Sequence, residues 1–570
     1  MLGAVMAVIA QFLLWLIEFI TSLSFFGKIG IASSPAGNHL GLAVIAIPVL
    51  GGLIVGFMAR FGSPAIRGHG IPEAMEQVLE NSSRIPARIT WLKPLSAAIS
   101  IGTGGPFGAE GPIIATGGAS GSLMGQILPT SATERKILLA AGAAAGMAAT
   151  FGSPLSALLL AVELLLFEFN VRSLIPVALS VSIASLIRTK LVGTMPIFEM
   201  PRVLAPTAPA FVSLLLIASL MGVAAFGLSR ITYLIEDGFE KLPFHWMWWP
   251  ALGGIAVGCV GYFSPKTLGV GYSNITENLS GSMPLLAVAA LCIFKFLSWS
   301  ISLGSGTSGG TLAPLMTIGS GLGWILGVAI QQFIPDLDPH LAALIGMACI
   351  FGGASQAMLA AAVFAYETTG QSAAIFSLLA CCGVAVWVAR TLGKNSIMTE
   401  KIVRRGISVP LQFSTDIFEH THVAHVMDTA RVTVNAGMLI KELGQKIATH
   451  DPELRAHHAH PVVSDEGRLL GIITRGDVIR AIENASPGAT VLDYATTNLV
   501  VAFPNETLHE AIQKLLKHDI GRLLVVSPHD PEKLIGYLSR SAILSARWKI
   551  SEQEKVEVSH WHPWSKVSSL

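Results

Sequence analysis

The chain has 570 residues, of which 52% are hydrophobic and 13% charged, with 37 Lys and Arg against 36 Asp and Glu. Soluble domains average about 25% charged residues, so a wholly soluble protein is excluded. The near-zero net charge carries no electrostatic footprint for nucleic acid. The five cysteines (Cys259, Cys292, Cys349, Cys381 and Cys382) all lie in apolar stretches. They read as small buried hydrophobes, not as a metal set or a disulfide framework.

Long apolar runs dominate from Met1 to about Arg390, and an ordinary soluble composition begins near Lys394. This shift is the main domain boundary. The first run, 3–26, lacks a basic leading region and is long enough to span a bilayer, so it reads as a membrane segment and not as a cleavable signal. Because it starts at the first residue, the chain is expected either to lack N-terminal residues that its relatives carry or to have a misassigned start. Further apolar segments are predicted at 40–60, 92–103, 110–128, 137–150, 154–168, 174–192, 209–235, 247–264, 285–303, 310–333, 340–353, 355–368 and 373–391. Several are shorter than the roughly 20 residues of a full span and are rich in Gly, Ala and Ser. Short, broken, closely packed helices fit a transporter or channel core.

Among these segments, Gly102-Thr-Gly-Gly-Pro-Phe-Gly-Ala-Glu-Gly-Pro112 stands out. A glycine-rich break with one acid, Glu110, between apolar runs is the pattern of an interrupted membrane helix whose freed N–H groups hold an ion. A solvated surface turn is the alternative, but acids at membrane depth are rare and functional by default.

The membrane part repeats. Pro48–Gly56 matches Pro250–Gly258, and Lys93–Gly102 matches Lys295–Gly304, both at an offset of 202. Gly102, Gly104 and Pro112 match Gly304, Gly306 and Pro314 at the same offset. Gly68-His69-Gly70 matches Gly269-Val270-Gly271 at 201, and Gly146–Gly152 is aligned with Gly346–Gly352 at 200. Two halves, 1–200 and 201–405, are therefore expected, with the site at their interface. In register, Glu110 faces Leu312, so the loop backbone is the shared device and Glu110 an added control. Lys394, Lys401, Arg404 and Arg405 after the last span place the C-terminal part in the cytoplasm by the positive-inside tendency.

The soluble part repeats as well, in units at 418–482 and 489–547, each reading helix, strand, turn, strand, helix. Thr474 and Ser539 sit where a helix N-cap belongs. The tail 548–570 is polar. His420, His422, His425, His457, His458 and His460 suggest metal binding, but no Cys or acidic ligand stands at a metal spacing, which favours a solvated loop. The soluble part has no catalytic constellation, so an enzyme is not implied. A divalent-cation transporter would need several intramembrane acids, and few are present.

Three loops each lead to a proline near a helix start: Gly68-His69-Gly70-Ile71-Pro72, Gly108-Ala109-Glu110-Gly111-Pro112, and Gly309-Gly310-Thr311-Leu312-Ala313-Pro314. Unpaired N–H groups and the positive dipole end suit an anion without a buried cation. Glycines kept only for tight packing are the alternative for any one loop. Ionised Glu110 can block such a path, and protonated Glu110 can swing clear of it.

These residues resemble the CLC family of chloride channels and chloride/proton antiporters over nearly the whole chain. The family's motifs are usually Gly-Ser-Gly-Ile-Pro, Gly-Arg-Glu-Gly-Pro and Gly-Gly-x-Phe-x-Pro. The resemblance implies a polytopic α-helical membrane protein with an inverted internal repeat, a homodimer, and one anion path in each subunit. It also implies a cytoplasmic α/β CBS-domain pair, a multi-pass place in the cell (inner) membrane, and no required cofactor. Glu110 matches the gating glutamate. Gly68, His69, Gly70, Ile71, Gly108, Gly111, Thr311, Leu312 and Met398 match anion-lining positions. The family's central serine falls at His69 and its central tyrosine at about Met398, so neither hydroxyl is present. His69 can donate an N–H or pack away from the path. The antiporters' proton-relay glutamate, next to the shared Glu163, is Leu164 here. This leans toward a channel for chloride or a similar anion, with a proton-coupled antiporter as the alternative, and Glu168 is a possible substitute relay. In the CBS pair, Thr474 and Asp477 match a pattern for adenine nucleotide. Ser539 keeps part of it, while Ala542 replaces the acid.

Overall fold

The computed structural model describes residues 1–548 apart from 33, 408, 410–417, 419–420, 430–431, 450–453, 455–457, 485 and 487. His420, His457 and the tail from 549 lie outside the described residues. The chain divides into units Met1–Val409 and Pro410–Leu570.

The first unit is helical. Its first half holds α1 Leu2–Phe26, α2 Ala46–Phe57, α3 Ile71–Glu80, α4 Ile89–Gly102, α5 Glu110–Ile127, α6 Ala132–Phe151, α7 Pro154–Ala161 and α8 Val171–Val192. Its second half holds α9 Ala208–Glu240, α10 Trp249–Phe263, α11 Tyr272–Ser280, α12 Leu285–Gly304, α13 Leu312–Gln331, α14 Pro339–Ser355, α15 Met358–Thr369 and α16 Ile375–Leu392, then α17 Glu400–Arg404. Every apolar segment expected from hydropathy is a helix. The short α3 begins at the helix start expected near Pro72, while α11 was not expected; residues such as Glu73, Glu76, Asn274 and Glu277 make both too polar for a predicted span. Seven helices among the described residues are long and apolar enough to cross a membrane. Exposed Ile175, Leu179, Ile183 and Leu186 share one face of α8, an apolar surface that the chain itself leaves uncovered.

Reciprocal contacts relate the halves by a pseudo-two-fold, which inverts one against the other. A Cβ on Gly52 would meet the Pro250 carbonyl at 2.3 Å, and one on Gly254 would meet the Pro48 carbonyl at 2.5 Å, so α2 and α10 cross backbone to backbone. The same reciprocity holds at Gly108 and Gly310, whose N–H groups donate to each other's carbonyls at 3.1 and 2.9 Å. Small residues allow such approach in a bilayer, where packing and not hydrophobicity drives helix association.

The register of the last repeat block is corrected. Gly117 and Gly142 bring α5 onto α6, while Gly319 and Gly346 bring α13 onto α14. Gly346 is therefore the counterpart of Gly142, at an offset of 204, and not of Gly146. The link between the paired helices is longer in the second half, 332–338 against 128–131. Small residues also recur on successive turns of α6, which lets a sequence match slip by one turn.

The second unit carries two copies of one motif. The first has β1 Val434–Asn435, α18 Ile440–Ala448, β2 Ala459–Val463, β3 Leu469–Thr474 and α19 Arg475–Asn484. The second has β4 Val501–Ala502, α20 Leu508–Lys517, β5 Arg522–Ser527, β6 Asp530–Ser539 and a helix from 540. In each sheet the first strand runs parallel to the second, and the second antiparallel to the third. Alternating burial along β3 matches a half-covered sheet. His460 is buried in β2, and His422 and His425 pack ring to ring at 6.1 Å.

Candidate functional site

Two buried amines fix the loops of the membrane unit. Lys93 Nζ on α4 donates to the carbonyls of Ile66 and Gly68 at 2.8 and 2.9 Å. Its counterpart Lys295 on α12 donates to those of Thr267 and Gly269 at 3.1 and 3.0 Å. A buried ammonium needs such acceptors, so each half ties its loop to its own long helix. In the first half the loop then turns at Gly70, with φ of 94°, into α3. The Gly70 N–H donates to Glu73 Oε2 at 2.7 Å, and Lys401 of α17 lies 3.5 Å from Glu73 Oε1.

The three glycine loops converge. Gly68 bridges to Ser308, and the Gly68 N–H donates to the Thr307 carbonyl at 3.0 Å. Gly108 pairs with Gly310, and a Cβ on Gly111 would meet the His69 carbonyl at 1.8 Å. Gly68, His69, Gly70, Ile71, Gly108, Glu110, Gly111, Thr311 and Leu312 are thus brought to one centre. Helices α5 and α13 both begin there, at Glu110 and Leu312, and both first residues are fully buried. Met398 is fully buried two residues before α17, and its N–H donates to Ser396 Oγ at 3.2 Å.

The Glu110 carboxylate lies against the loop that leads into α13, where a Cβ on Gly310 would meet Glu110 Oε2 at 3.0 Å. Unpaired N–H groups at a helix start make this a place for negative charge. Three buried polar atoms around the centre have no hydrogen-bond partner: Glu110 Oε2, His69 Nδ1 and Thr311 Oγ1. Buried polar atoms are nearly always satisfied, so three unpartnered ones on adjoining loops mark a place suited to an ion or water.

Sequence reasoning missed Tyr272. Its hydroxyl donates to Glu110 Oε1 at 3.2 Å, and its ring stands edge-on to Phe151 and Phe198 at 5.7 and 6.0 Å. The signal was available: extending the match of Gly70 to Gly271 by one residue sets Tyr272 on Ile71.

Glu163, Glu367 and Glu168 are engaged elsewhere. Glu163 accepts from the Leu359 and Ala360 N–H groups at 3.0 and 2.9 Å and caps α15. Glu367 accepts from those of Leu155 and Ser156, both at 2.9 Å, and caps α7. Leu164 is buried beside Glu163. Glu168 accepts from Ser173 at 2.5 Å and lies 4.0 Å from Lys136.

In the second unit, Thr474 lines a cavity of about 280 Å³ with Thr496, Asn498, Gly521 and Arg522. Arg522 Nε has no hydrogen-bond partner. Asp477 is not among the lining residues, and it accepts from the Thr474 N–H and O–H at 2.9 and 2.6 Å as part of the cap of α19. Ser539 does not line the cavity either, and it accepts from the Ala542 N–H at 3.1 Å.

Comparison with known proteins agrees with this geometry. Residues 51–390 match the family model "Voltage gated chloride channel", and residues 423–484 and 491–549 match the CBS domain. Chloride channel protein CLC-f of Arabidopsis thaliana is 27% identical over 90% of this chain and 75% of its own length. The H(+)/Cl(-) exchange transporter ClcA of Vibrio parahaemolyticus is 27% identical over 64% of this chain and 80% of its own. The crystal structure of a slow cyanobacterial Cl-/H+ antiporter superposes with a TM-score of 0.64 at 23% identity, covering 71% of this chain and 96% of that one. The chain belongs to the voltage gated chloride channel family, as a multi-pass membrane protein that also carries two CBS domains.

Proposed function

We propose that the chain conducts chloride or a similar small anion passively through the centre where the three loops meet, with Glu110 as its gate. The observation that carries this reading is the Glu110 carboxylate resting against Gly310, just ahead of α13, with Oε2 unpartnered. It occupies the place an anion would take, and protonation removes the charge that holds it there. Gly68, His69, Gly70, Ile71, Gly108, Gly111, Thr311 and Leu312 line the path through backbone N–H groups and, at His69, the ring. Met398 gives its inner end an apolar side chain in place of a hydroxyl. Leu164 and the engaged Glu163 support conduction without proton coupling. The likeness to a named exchange transporter supports the second reading, proton-coupled antiport, possibly of another anion.

The protein acts as a homodimer in the cell (inner) membrane, with one path in each subunit. The basic run Lys394, Lys401, Arg404 and Arg405 supports a cytoplasmic soluble pair. That pair takes an adenine nucleotide at the Thr474 cavity, where the Arg522 guanidinium suits its phosphates. Asp477 and Ser539 support the cavity through their helix caps.

The test is anion flux from reconstituted vesicles with simultaneous pH recording. We expect chloride flux without a fixed proton ratio, rising as pH falls, and independent of pH in Glu110→Ala. A fixed proton-to-anion ratio that disappears in Glu110→Ala would replace conduction by antiport. No flux of any halide or nitrate would overturn both readings. His69→Ser should change the anion preference, and an unchanged preference removes His69 from the path.

A further inference from the structure

At the end of the membrane unit from which the chain leaves for its soluble part, a cavity of about 320 Å³ opens between α9 and the loop after α16. Its lining includes Phe226, Arg230 and Tyr233 of α9 and Lys394, Asn395 and Ser396 of the loop. The basic residues nearby are largely matched: Lys401 with Glu73, Arg404 with Asp237 and Glu400, Arg405 with Glu76. Arg230 and Lys394 are different. Both are exposed, and neither makes a hydrogen bond or ion pair through its side chain among the described residues. The one acid at the cavity, Glu400, is committed, since Arg404 Nε and Asn395 Nδ2 donate to its two oxygens at 3.0 and 2.9 Å. The cavity therefore offers two free cations, a small polar rim and no free carboxylate.

The approach to it is apolar. Leu216, Leu220 and Val223 are 56%, 44% and 50% exposed on α9, and Arg230 follows Val223 by seven residues. That spacing is two helical turns, so the apolar row ends in the cation on the same face. On α16, Trp387 is 68% exposed, and the helix ends at Leu392, two residues before Lys394. The two helices pack together, close enough that a Cβ on Gly393 would meet the Phe226 ring at 2.6 Å. An exposed apolar row on α9 and the exposed Trp387 ring on the adjacent α16 thus lead to one basic cavity. A free phosphate shares the chemistry of the cavity but has no use for this apolar approach.

We infer that this cavity binds the phosphate headgroup of an anionic phospholipid whose acyl chains lie along the exposed faces of α9 and α16. Basic side chains at a membrane boundary attract anionic lipid, and an exposed apolar surface leading to them suits its acyl chains.

The test uses the full-length protein in phosphatidylcholine vesicles with and without phosphatidylglycerol, with lipid retained after extraction counted by native mass spectrometry. Wild type should retain phosphatidylglycerol selectively. The double variant Arg230→Ala/Lys394→Ala should lose about 30-fold in that preference, and Lys394→Gln alone about 5-fold. Arg230→Lys/Lys394→Arg should keep it. Undiminished retention in the double variant overturns the inference. Displacement of the lipid by inorganic phosphate or glycerol phosphate as effectively as by phosphatidylglycerol overturns it in favour of a soluble ligand. Cross-linking of two copies through Lys394→Cys would show the cavity covered by a second chain, and overturns it too. If the double variant does not fold, the single variant and the phosphate competition on wild type still decide.

Discussion

The two halves of the membrane unit differ at very few of the positions that matter. Lys93 and Lys295 each tie a loop to a long helix, and Glu163 and Glu367 each cap a helix of the other half. Gly52 and Gly254 bring the halves together, and Gly108 and Gly310 join their loops at the centre. Against this shared frame, His69 stands where the second half has Val270, Glu110 where it has Leu312, and Tyr272 where the first half has Ile71. The duplicated residues build the frame around the centre, and the proposed gate rests on the unduplicated ones. An architecture made twice needs no acid, because Leu312 begins α13 as well as Glu110 begins α5.

The harshest test of that division is at the crossing of α2 and α10. Gly52→Ala and Gly254→Ala each place a methyl group against a backbone carbonyl that is held by its own helix. Each should destabilise the membrane unit by about 3 kcal/mol. The two losses should be alike, read as thermal unfolding and as the yield of monodisperse protein. A large loss at one position and none at the other would break the pseudo-two-fold as an energetic unit.

Much of this frame is legible in the sequence, because a duplication writes itself into residue spacing and broken apolar runs write themselves into hydropathy. The glycine loops were legible for the same reason, since only small residues permit the approach of Gly111 to the His69 carbonyl. The reciprocal caps were not. Glu163 finds its acceptor role at the start of α15, and Glu367 at the start of α7, through tertiary pairing that leaves no local pattern. The slip of one turn between α6 and α14 has the opposite cause, a pattern of small residues too regular to fix its own register. Tyr272 was hidden because it opens a helix too polar to stand out as a span.

A subtler test separates the unduplicated residues from the frame. Tyr272→Phe removes the hydroxyl that holds Glu110 but keeps the ring against Phe151 and Phe198. A hydrogen bond to a charged group is worth about 1.5 kcal/mol, so Glu110 should leave its place about tenfold more readily. Anion flux at neutral pH should rise by about that factor, with thermal stability nearly unchanged. Ile71→Val, at the matching position, should change flux far less, because it keeps the backbone N–H assigned to the path and removes no contact to Glu110. Equal effects from the two substitutions would mean that Tyr272 serves packing alone.

The soluble unit poses the same comparison on a smaller scale. Asp477 in the first motif stands where the second has Ala542, each three residues after a capping Thr474 or Ser539. Partial burial pushes the Asp477 carboxyl up, but the Thr474 hydroxyl and N–H and the Arg480 guanidinium outweigh it and hold the group below the usual carboxylate range. A folded-state value below the unfolded one gives stability that is fully present above the ordinary carboxylate range and is lost as pH falls through the lowered value. Asp477→Ala should therefore cost α19 about 1 kcal/mol at neutral pH. In the full-length protein this reads as about fivefold weaker hydrogen-exchange protection of Arg475–Asn484. The difference between variant and wild type should shrink once the pH passes below the depressed value. Ala542→Asp should add a smaller gain to the second motif, because Ser539 already accepts from the Ala542 N–H and only the return bond is new. Were Asp477→Ala to leave protection unchanged at neutral pH, the acid would owe its place to the neighbouring cavity and not to the helix it caps.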